Sequence, residues 1–313
     1  MSKPIIPFIH SLSEMAAEAW MRALKAAMPG LRIALLAELS NEERERTEVA
    51  IVVNPDPRDL AVLPNLQWVQ SLWAGVERLL AGMPDPSVRI ARLIDPHLAE
   101  TMAEAVLAWT LYLHRDMQRY AAQQRVAEWH QHDLLTAAER RVSILGLGQL
   151  GQAAAARLHD NNFDVRGWSR SPKAIEGIQI FCGDLSPLLE ETDILVILLP
   201  STNNTRGLLN GEALDRLPHG AQIINFARAD IIDTPALLDR LASGQIDHAV
   251  LDVFAHEPLP SDDPLWRDPA VTVLPHTSAP TNRTSAARVV ATNLQGWFDD
   301  ATMPATVSKR DGY

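Results

Sequence analysis

The chain is poor in cysteine, in aromatic residues and in positive charge, and each shortage removes a class of protein. Among 313 residues there is one cysteine, Cys182, so no intrachain disulfide can form and a disulfide-stapled secreted scaffold is excluded. That usage predicts a reducing compartment, the cytoplasm. Aromatic residues make up 5%, and 28 lysines and arginines face 39 aspartates and glutamates, a formal net charge of −11. Nucleic acid and anionic membranes are therefore not expected as partners, because both need clustered cations to neutralise them. No uninterrupted apolar run reaches spanning length, and the opening MSKPIIPFIH lacks the long apolar core of a secretion signal. Fixed-period repeats and low-complexity tracts are also missing. What remains is 47% hydrophobic, enough to fill two cores of ordinary size.

Short apolar runs alternate with helical patterns from the start. IIPFIH, VAIVVN, LQWVQSL and VRIARLI read as strands, and SEMAAEAWMRALKAA reads as a helix. A long helix is expected from about Ala99 to Gln118, followed by a polar stretch containing QQRVAEWHQHD. A second alternation then runs through RVSILG, FDVRGW, GIQIF, DILVILL, AQIINF, HAVLDV and VTVL. Seven apolar strands separated by helices predict an α/β protein with a doubly wound parallel sheet. A last helix is expected from about Asn282 to Asp299.

Gly146, Gly148 and Gly151 lie between the strand RVSILG and a run with strong helix propensity. In that setting the first glycine permits a tight turn and the second lets backbone approach a pyrophosphate. The third permits close helix packing while the helix N-terminus faces the anion. Dinucleotide binding is the expectation. After the next strand the chain reads GWSRSPK, with Ser169 where an NAD site places a carboxylate for the ribose hydroxyls. Ser169, Arg170, Ser171 and Lys173 can bond and neutralise a 2′-phosphate, so NADP(H) is expected ahead of NAD(H).

Three later segments, INFARAD, LDVFAHEPLP and LPHTSAPT, resemble in order and spacing the catalytic signatures of the D-isomer-specific 2-hydroxyacid dehydrogenases. SLWAGVERLL, the tract around Trp129 and the terminal DGY are similar to the glyoxylate/hydroxypyruvate reductase A branch. The resemblance implies a Rossmann-type cofactor domain over residues 101–284. It also implies a discontinuous flavodoxin-like substrate domain over 1–100 and 285–313, with the active site in the cleft and a homodimer as the assembly. The implied reaction is reduction of glyoxylate, hydroxypyruvate or another small 2-oxo acid to the D-2-hydroxy acid. Alternatives with the same fold are a 3-phosphoglycerate dehydrogenase, which often carries a regulatory extension not expected here, and an NAD(H)-sensing corepressor.

Each catalytic residue has its own chemical reason. A 2-oxo acid needs a cation on its carboxylate, a hydride donor, and an acid for the new alkoxide. Arg228 follows the strand AQIINF, and its planar guanidinium can grip a carboxylate through two parallel bonds. His276 follows VTVLP as the expected acid. Glu257, in the loop after AVLDVF, is expected to orient it and to favour its protonated form. Around the cofactor, contacts are expected from Gln149, Leu150, Leu199, Pro200, Thr205, Phe226, Ala227 and Ser278. Asp252 resembles the family position near the nicotinamide carboxamide, the alternative being a strand-end carboxylate satisfied by backbone amides.

On the substrate side, Ala74 and Gly75 lack bulk and are expected to offer amides to a carboxylate as the family does, with Trp73 walling the pocket. Trp129 reads as an interface or pocket-lid residue, and the resemblance implies a substrate contact, since a tryptophan hereabouts in the resembling reductases helps form the substrate site near the dimer contact. HQHD follows it here instead of their usual Lys-Pro. His130 and His132 read as solvated loop histidines, with no metal site expected. Cys182 is expected to be an inert packed thiol.

Overall fold

The computed structural model describes residues 4–308. Its internal contacts divide the chain into two units, one taking the chain up to His97 and again from Thr281, the other spanning Leu98–Pro280.

The first unit carries β1 (Ile5–His10), β2 (Arg32–Leu35), β3 (Val49–Val53), β4 (Trp68–Ser71) and β5 (Arg89–Ala91). They form one parallel sheet in the order β2-β1-β3-β4-β5, the flavodoxin-like arrangement. All five residues of β3 are buried, as expected of a parallel strand covered on both faces. Phe8, Ile51 and Leu72 meet Trp20 and Leu24 of the helix Glu14–Ala27 and Ala287, Val290 and Leu294 of the helix Arg283–Asp300. Ile9, Val52, Val69 and Ile90 form the other face with Leu60 and Leu63. β2 was not among the strands expected from the sequence. It is a four-residue edge strand with its two ends exposed, too short for a period-2 pattern to register.

The second unit carries β6 (Arg141–Leu145), β7 (Asp164–Trp168), β8 (Gln179–Phe181), β9 (Ile194–Ile197), β10 (Ala221–Asn225), β11 (Ile246–Leu251) and β12 (Val271–Val273). The order is β12-β11-β10-β9-β6-β7-β8, a parallel Rossmann arrangement extended by one strand. Alternating residues serve two cores. Ile144, Val196, Ile224 and Val250 join Ala154, Ala155 and Leu158 of the helix Gln149–His159. Leu145, Ile197, Ile223 and Leu251 join Leu188, Leu214, Leu237 and Leu241 on the opposite face. Each fully buried valine, leucine or isoleucine among them contributes about 1.5–3 kcal/mol.

The single long helix expected from Ala99 to Gln118 is two helices. Pro96–His114 begins on a proline, whose fixed φ and missing N–H suit a first helical turn. It stops before Asp116, which sits at φ +51°, and Met117–Arg125 starts afresh. Aspartate tolerates the left-handed region better than most side chains, and that backbone reversal leaves no trace in apolar periodicity. The polar stretch that follows is thus helical as far as Arg125. Cys182 also departs from expectation: it lies one residue beyond β8, exposed, with its thiol donating to the Ser169 carbonyl at 3.0 Å. Among the described residues no helix is long and apolar enough to cross a membrane.

Candidate active site

Seven connections leave the carboxyl ends of the strands in the second unit, and six of them carry every expected catalytic and cofactor residue. In sheets of this kind ligands bind at that edge, where the strand order reverses. Here the reversal falls between β6 and β9.

The loop after β6 shows three glycines with three different reasons. Gly146 has φ +102°, and a Cβ there would lie 2.8 Å from the Leu198 carbonyl oxygen. At Gly151 a Cβ would fall 1.9 Å from the Gly146 oxygen, so the helix can begin only against a residue without a side chain. Nothing lies within 4 Å of a Cβ built on Gly148. The fold itself does not require glycine at 148, and the bare backbone leaves room for an outside group. Gln149 and Leu150 open the helix behind it, whose first amides have no intrahelical acceptor. A dinucleotide pyrophosphate fits this cradle.

After β7, Ser169 is buried and its hydroxyl donates to the Ser171 carbonyl at 2.7 Å. It is turned inward, leaving the exposed Arg170 as the outward cation of the segment. Lys173 reaches back to the Leu147 carbonyl at 2.7 Å, tying this segment to the glycine loop. No carboxylate occupies the GWSRSPK segment. After β9, Leu199 is buried and Pro200 half-buried, and Thr205 donates its hydroxyl to the Pro200 carbonyl at 2.6 Å. Phe226 and Ala227, buried after β10, lead into half-buried Arg228, which donates to the Ala227 carbonyl at 2.7 Å.

His276 and Glu257 come from different loops, 19 residues apart, and meet directly. Imidazole Nδ1 lies 2.8 Å from Glu257 Oε2, while Glu257 Oε1 accepts the Phe254 amide at 2.9 Å. With Nδ1–H donated to the carboxylate, Nε2 is the ring nitrogen left to face a substrate. His276 stands at φ +51°. Buried Asp252 accepts from the amides of Thr277 at 2.7 Å and Ser278 at 2.9 Å. Its carboxylate is thus satisfied by backbone, and the buried Ser278 hydroxyl has no hydrogen-bond partner.

Trp73, Ala74 and Gly75 lie in the first unit, just past β4. Ser71 Oγ accepts the Trp73 amide at 3.0 Å, and the indole packs edge-on to Trp20 with centroids 6.1 Å apart. Trp129 is 94% exposed, in the connection between the helix Met117–Arg125 and β6. His132 bonds Gln123 through its ring and Tyr120 through its amide, and its ring meets that of His130 at 4.9 Å, so this tract is ordered by its own contacts. Sequence reasoning passed over Asn225. It is 1% exposed and braces the Arg228 turn, accepting from the Ala227 amide at 3.1 Å and donating to the Arg228 carbonyl at 3.0 Å. A polar residue closing the apolar run AQIIN was the available signal.

A Rossmann sheet with a glycine loop and a carboxylate–imidazole pair at its carboxyl edge defines the chain as a nucleotide-dependent oxidoreductase by class. Residues 107–278 match the family described as D-isomer specific 2-hydroxyacid dehydrogenase, NAD binding domain. A D-isomer specific 2-hydroxyacid dehydrogenase from Xanthobacter autotrophicus Py2, solved with NADPH and MES, is 39% identical over 98% of this chain and 99% of that one, with a TM-score of 0.90. The NADPH-dependent glyoxylate/hydroxypyruvate reductase of Sinorhizobium meliloti, solved with NADP and sulfate, is 32% identical over 100% of both chains, TM-score 0.91. A probable 2-hydroxyacid dehydrogenase from Rhizobium etli CFN 42, solved with NADP, HEPES and L(+)-tartaric acid, is 32% identical over 100% of both, TM-score 0.90. The chain belongs to the D-isomer specific 2-hydroxyacid dehydrogenases, NAD(P)-dependent enzymes.

Proposed function

We propose that the chain is an NADPH-preferring reductase of small 2-oxo acids, glyoxylate and hydroxypyruvate foremost, yielding the D-2-hydroxy acid. The observation that carries the reading is the 2.8 Å contact between His276 and Glu257, presented after the two strands that follow Arg228's strand in the sheet, at the same carboxyl edge. Arg228 holds the substrate carboxylate and polarises the keto group. A nicotinamide cofactor held by these loops would supply the hydride that the keto carbon needs. His276 delivers the Nε2 proton to the keto oxygen as negative charge develops there, and Glu257 holds the ring by Nδ1 so that Nε2 keeps its aim.

Residues 101–284 would hold the cofactor, with the glycine loop on the pyrophosphate and Arg170 on the 2′-phosphate. Leu199, Pro200, Thr205, Phe226, Ala227 and Ser278 would line the nicotinamide side. Residues 1–100 and 285–313 would supply the substrate contacts, the Ala74 and Gly75 amides meeting the carboxylate and Trp73 limiting substrate size. The similarity to NADP-bound relatives that include a glyoxylate/hydroxypyruvate reductase supports this reading. Exposed apolar residues gather on one segment, Val126 and Trp129 with Leu134 and Leu135, which favours a homodimer that covers them. The acidic composition and single cysteine favour a cytoplasmic protein. The terminal DGY segment of the resemblance lies outside the described residues.

His276→Ala tests the chemistry. Turnover of glyoxylate should fall about 10²–10⁴-fold while NADPH titrates as in the parent, because the acid acts only during turnover. Parent-like turnover would remove His276 as the acid. A panel of 2-oxo acids tests the substrate class, and sedimentation velocity on the parent and Trp129→Ala tests the dimer.

A further inference from the structure

Arg228 and His276 stand at equivalent distances from their strands. Arg228 lies three residues beyond the end of β10, and His276 three residues beyond the end of β12. Each turn is held by one buried polar side chain from a strand end. Asn225 closes β10, accepting from Ala227 N at 3.1 Å and donating to Arg228 O at 3.0 Å. Asp252, directly after β11, accepts from Thr277 N at 2.7 Å and Ser278 N at 2.9 Å. The two braces are joined, since the Asp252 amide donates to the Asn225 carbonyl at 3.1 Å. Asn225 is 1% and Asp252 2% exposed, so water does not compete for these bonds.

The chemistry of each side chain matches its task. Carrying the Arg228 turn takes one acceptor and one donor, which an amide group has and a carboxylate lacks. Two successive N–H groups point at Asp252, and a carboxylate offers an acceptor to each, whereas an amide would offer one acceptor and oppose the other N–H with a donor. His276 also sits at φ +51°, a conformation that a residue with a side chain keeps only where its surroundings over-determine it. The two amides immediately after it are the ones Asp252 captures.

We propose that Asn225 and Asp252 act as a linked pair of positioning residues that set Arg228 and His276 against each other, Asp252 working through the His276 turn. The inference rests on the catalytic reading given above. It differs from a direct contact between Asp252 and the nicotinamide, which would show in cofactor affinity.

The test is a double-mutant cycle on the full chain with Asp252→Asn and His276→Ala, reading glyoxylate kcat, the NADPH dissociation constant from tryptophan fluorescence, and melting temperature. Asp252→Asn alone should lower kcat at least about 30-fold and leave NADPH affinity within about threefold. In the His276→Ala background it should lower the residual rate by less than about threefold, because residues acting as a unit are non-additive. An equal loss in both backgrounds would overturn the proposal in favour of a general structural effect. Weakened NADPH binding with kcat unchanged would overturn it in favour of direct cofactor contact. Parent-like turnover by His276→Ala itself would overturn the catalytic reading, and the inference with it. If Asp252→Asn melts more than about 5 °C below the parent, the cycle of Asn225→Asp with Arg228→Lys decides by the same criterion of additivity.

Discussion

Two parallel sheets in this chain are built alike and finish differently. Both bury apolar strands between helical layers, and both reverse strand order once, between β1 and β3 in the first unit and between β6 and β9 in the second. At the first reversal the chain leaves β1 as Ser11-Leu12-Ser13, with the Ser11 amide on the Val53 carbonyl at 3.1 Å and no glycine. At the second it leaves β6 as Gly146-Leu147-Gly148, with Gly151 against Gly146. Side chains occupy the first edge, while bare backbone at 148 opens the second. Topology thus supplies a place where a ligand can sit, and the residues of the loop decide whether a phosphate can reach the backbone.

The sharpest way to break the difference is at Gly151. Gly151→Val sets a Cβ about where the Gly146 oxygen now lies, and neither backbone can yield. We expect the second unit to fail to fold, read as loss of NADPH binding together with early proteolysis confined to 98–280. Gly148→Ala sharpens the comparison from the other side. With nothing within 4 Å, its melting temperature should stay within about 2 °C of the parent while NADPH affinity drops at least tenfold. Parent-like affinity would mean that the pyrophosphate does not approach residue 148.

Next in size is Arg228→Lys, which keeps the charge and loses the two parallel bonds. We expect kcat/KM for glyoxylate to fall about 100-fold or more. A loss within about threefold, under 1 kcal/mol, would reject carboxylate capture by Arg228.

A smaller effect is expected at the end of β7. A guanidinium on a 2′-phosphate at a partly exposed position contributes about 1.5–3 kcal/mol, or about 10- to 150-fold in NADPH over NADH. Ser169→Asp with Arg170→Ala should erode or reverse that ratio, since the carboxylate would bond ribose hydroxyls and repel the phosphate. Because Ser169 is turned onto the Ser171 carbonyl, Arg170→Ala alone should account for most of the change. Equal efficiencies for the two cofactors in the parent, measured at fixed ionic strength, would return Arg170 to the role of a surface charge.

The smallest expected difference between the units concerns buried imidazoles. Burial holds His248 below the ordinary 6.5, and burial, with Arg140 and Arg115 nearby, does the same for His114. Both lie in the second unit; the first has His10, lowered by burial alone. At pH values between the lowered folded value and 6.5 the unfolded chain binds more protons than the folded one. Stability is therefore complete above about 6.5 and declines as pH falls below it. Melting temperature should drop between pH 7.5 and 5.5, and His248→Gln should flatten that slope. An unchanged slope would place the acid sensitivity elsewhere.

Much of this molecule follows from local sequence alone. Among the described residues, eleven of the twelve strands coincide with apolar runs, because a parallel strand buried on both faces must be apolar along most of its length. The glycine loop is legible because backbone geometry leaves few residues able to occupy φ +102° or to pass within a Cβ radius of a carbonyl. Arg228, Glu257 and His276 are legible as chemical types placed just after strands. Tertiary structure alone decided which groups meet. That His276 lies 2.8 Å from Glu257, that Ser169 turns inward, and that Asn225 and Asp252 brace the turns beside them depends on register between strands far apart in the chain. The break at Asp116 and the short edge strand β2 belong to the same class, since each is set by packing and backbone reversal over a few residues. Periodicity records which face of an element is buried. It carries no information on which hydrogen bond a buried polar atom will find, because that partner arrives only when the sheet is assembled.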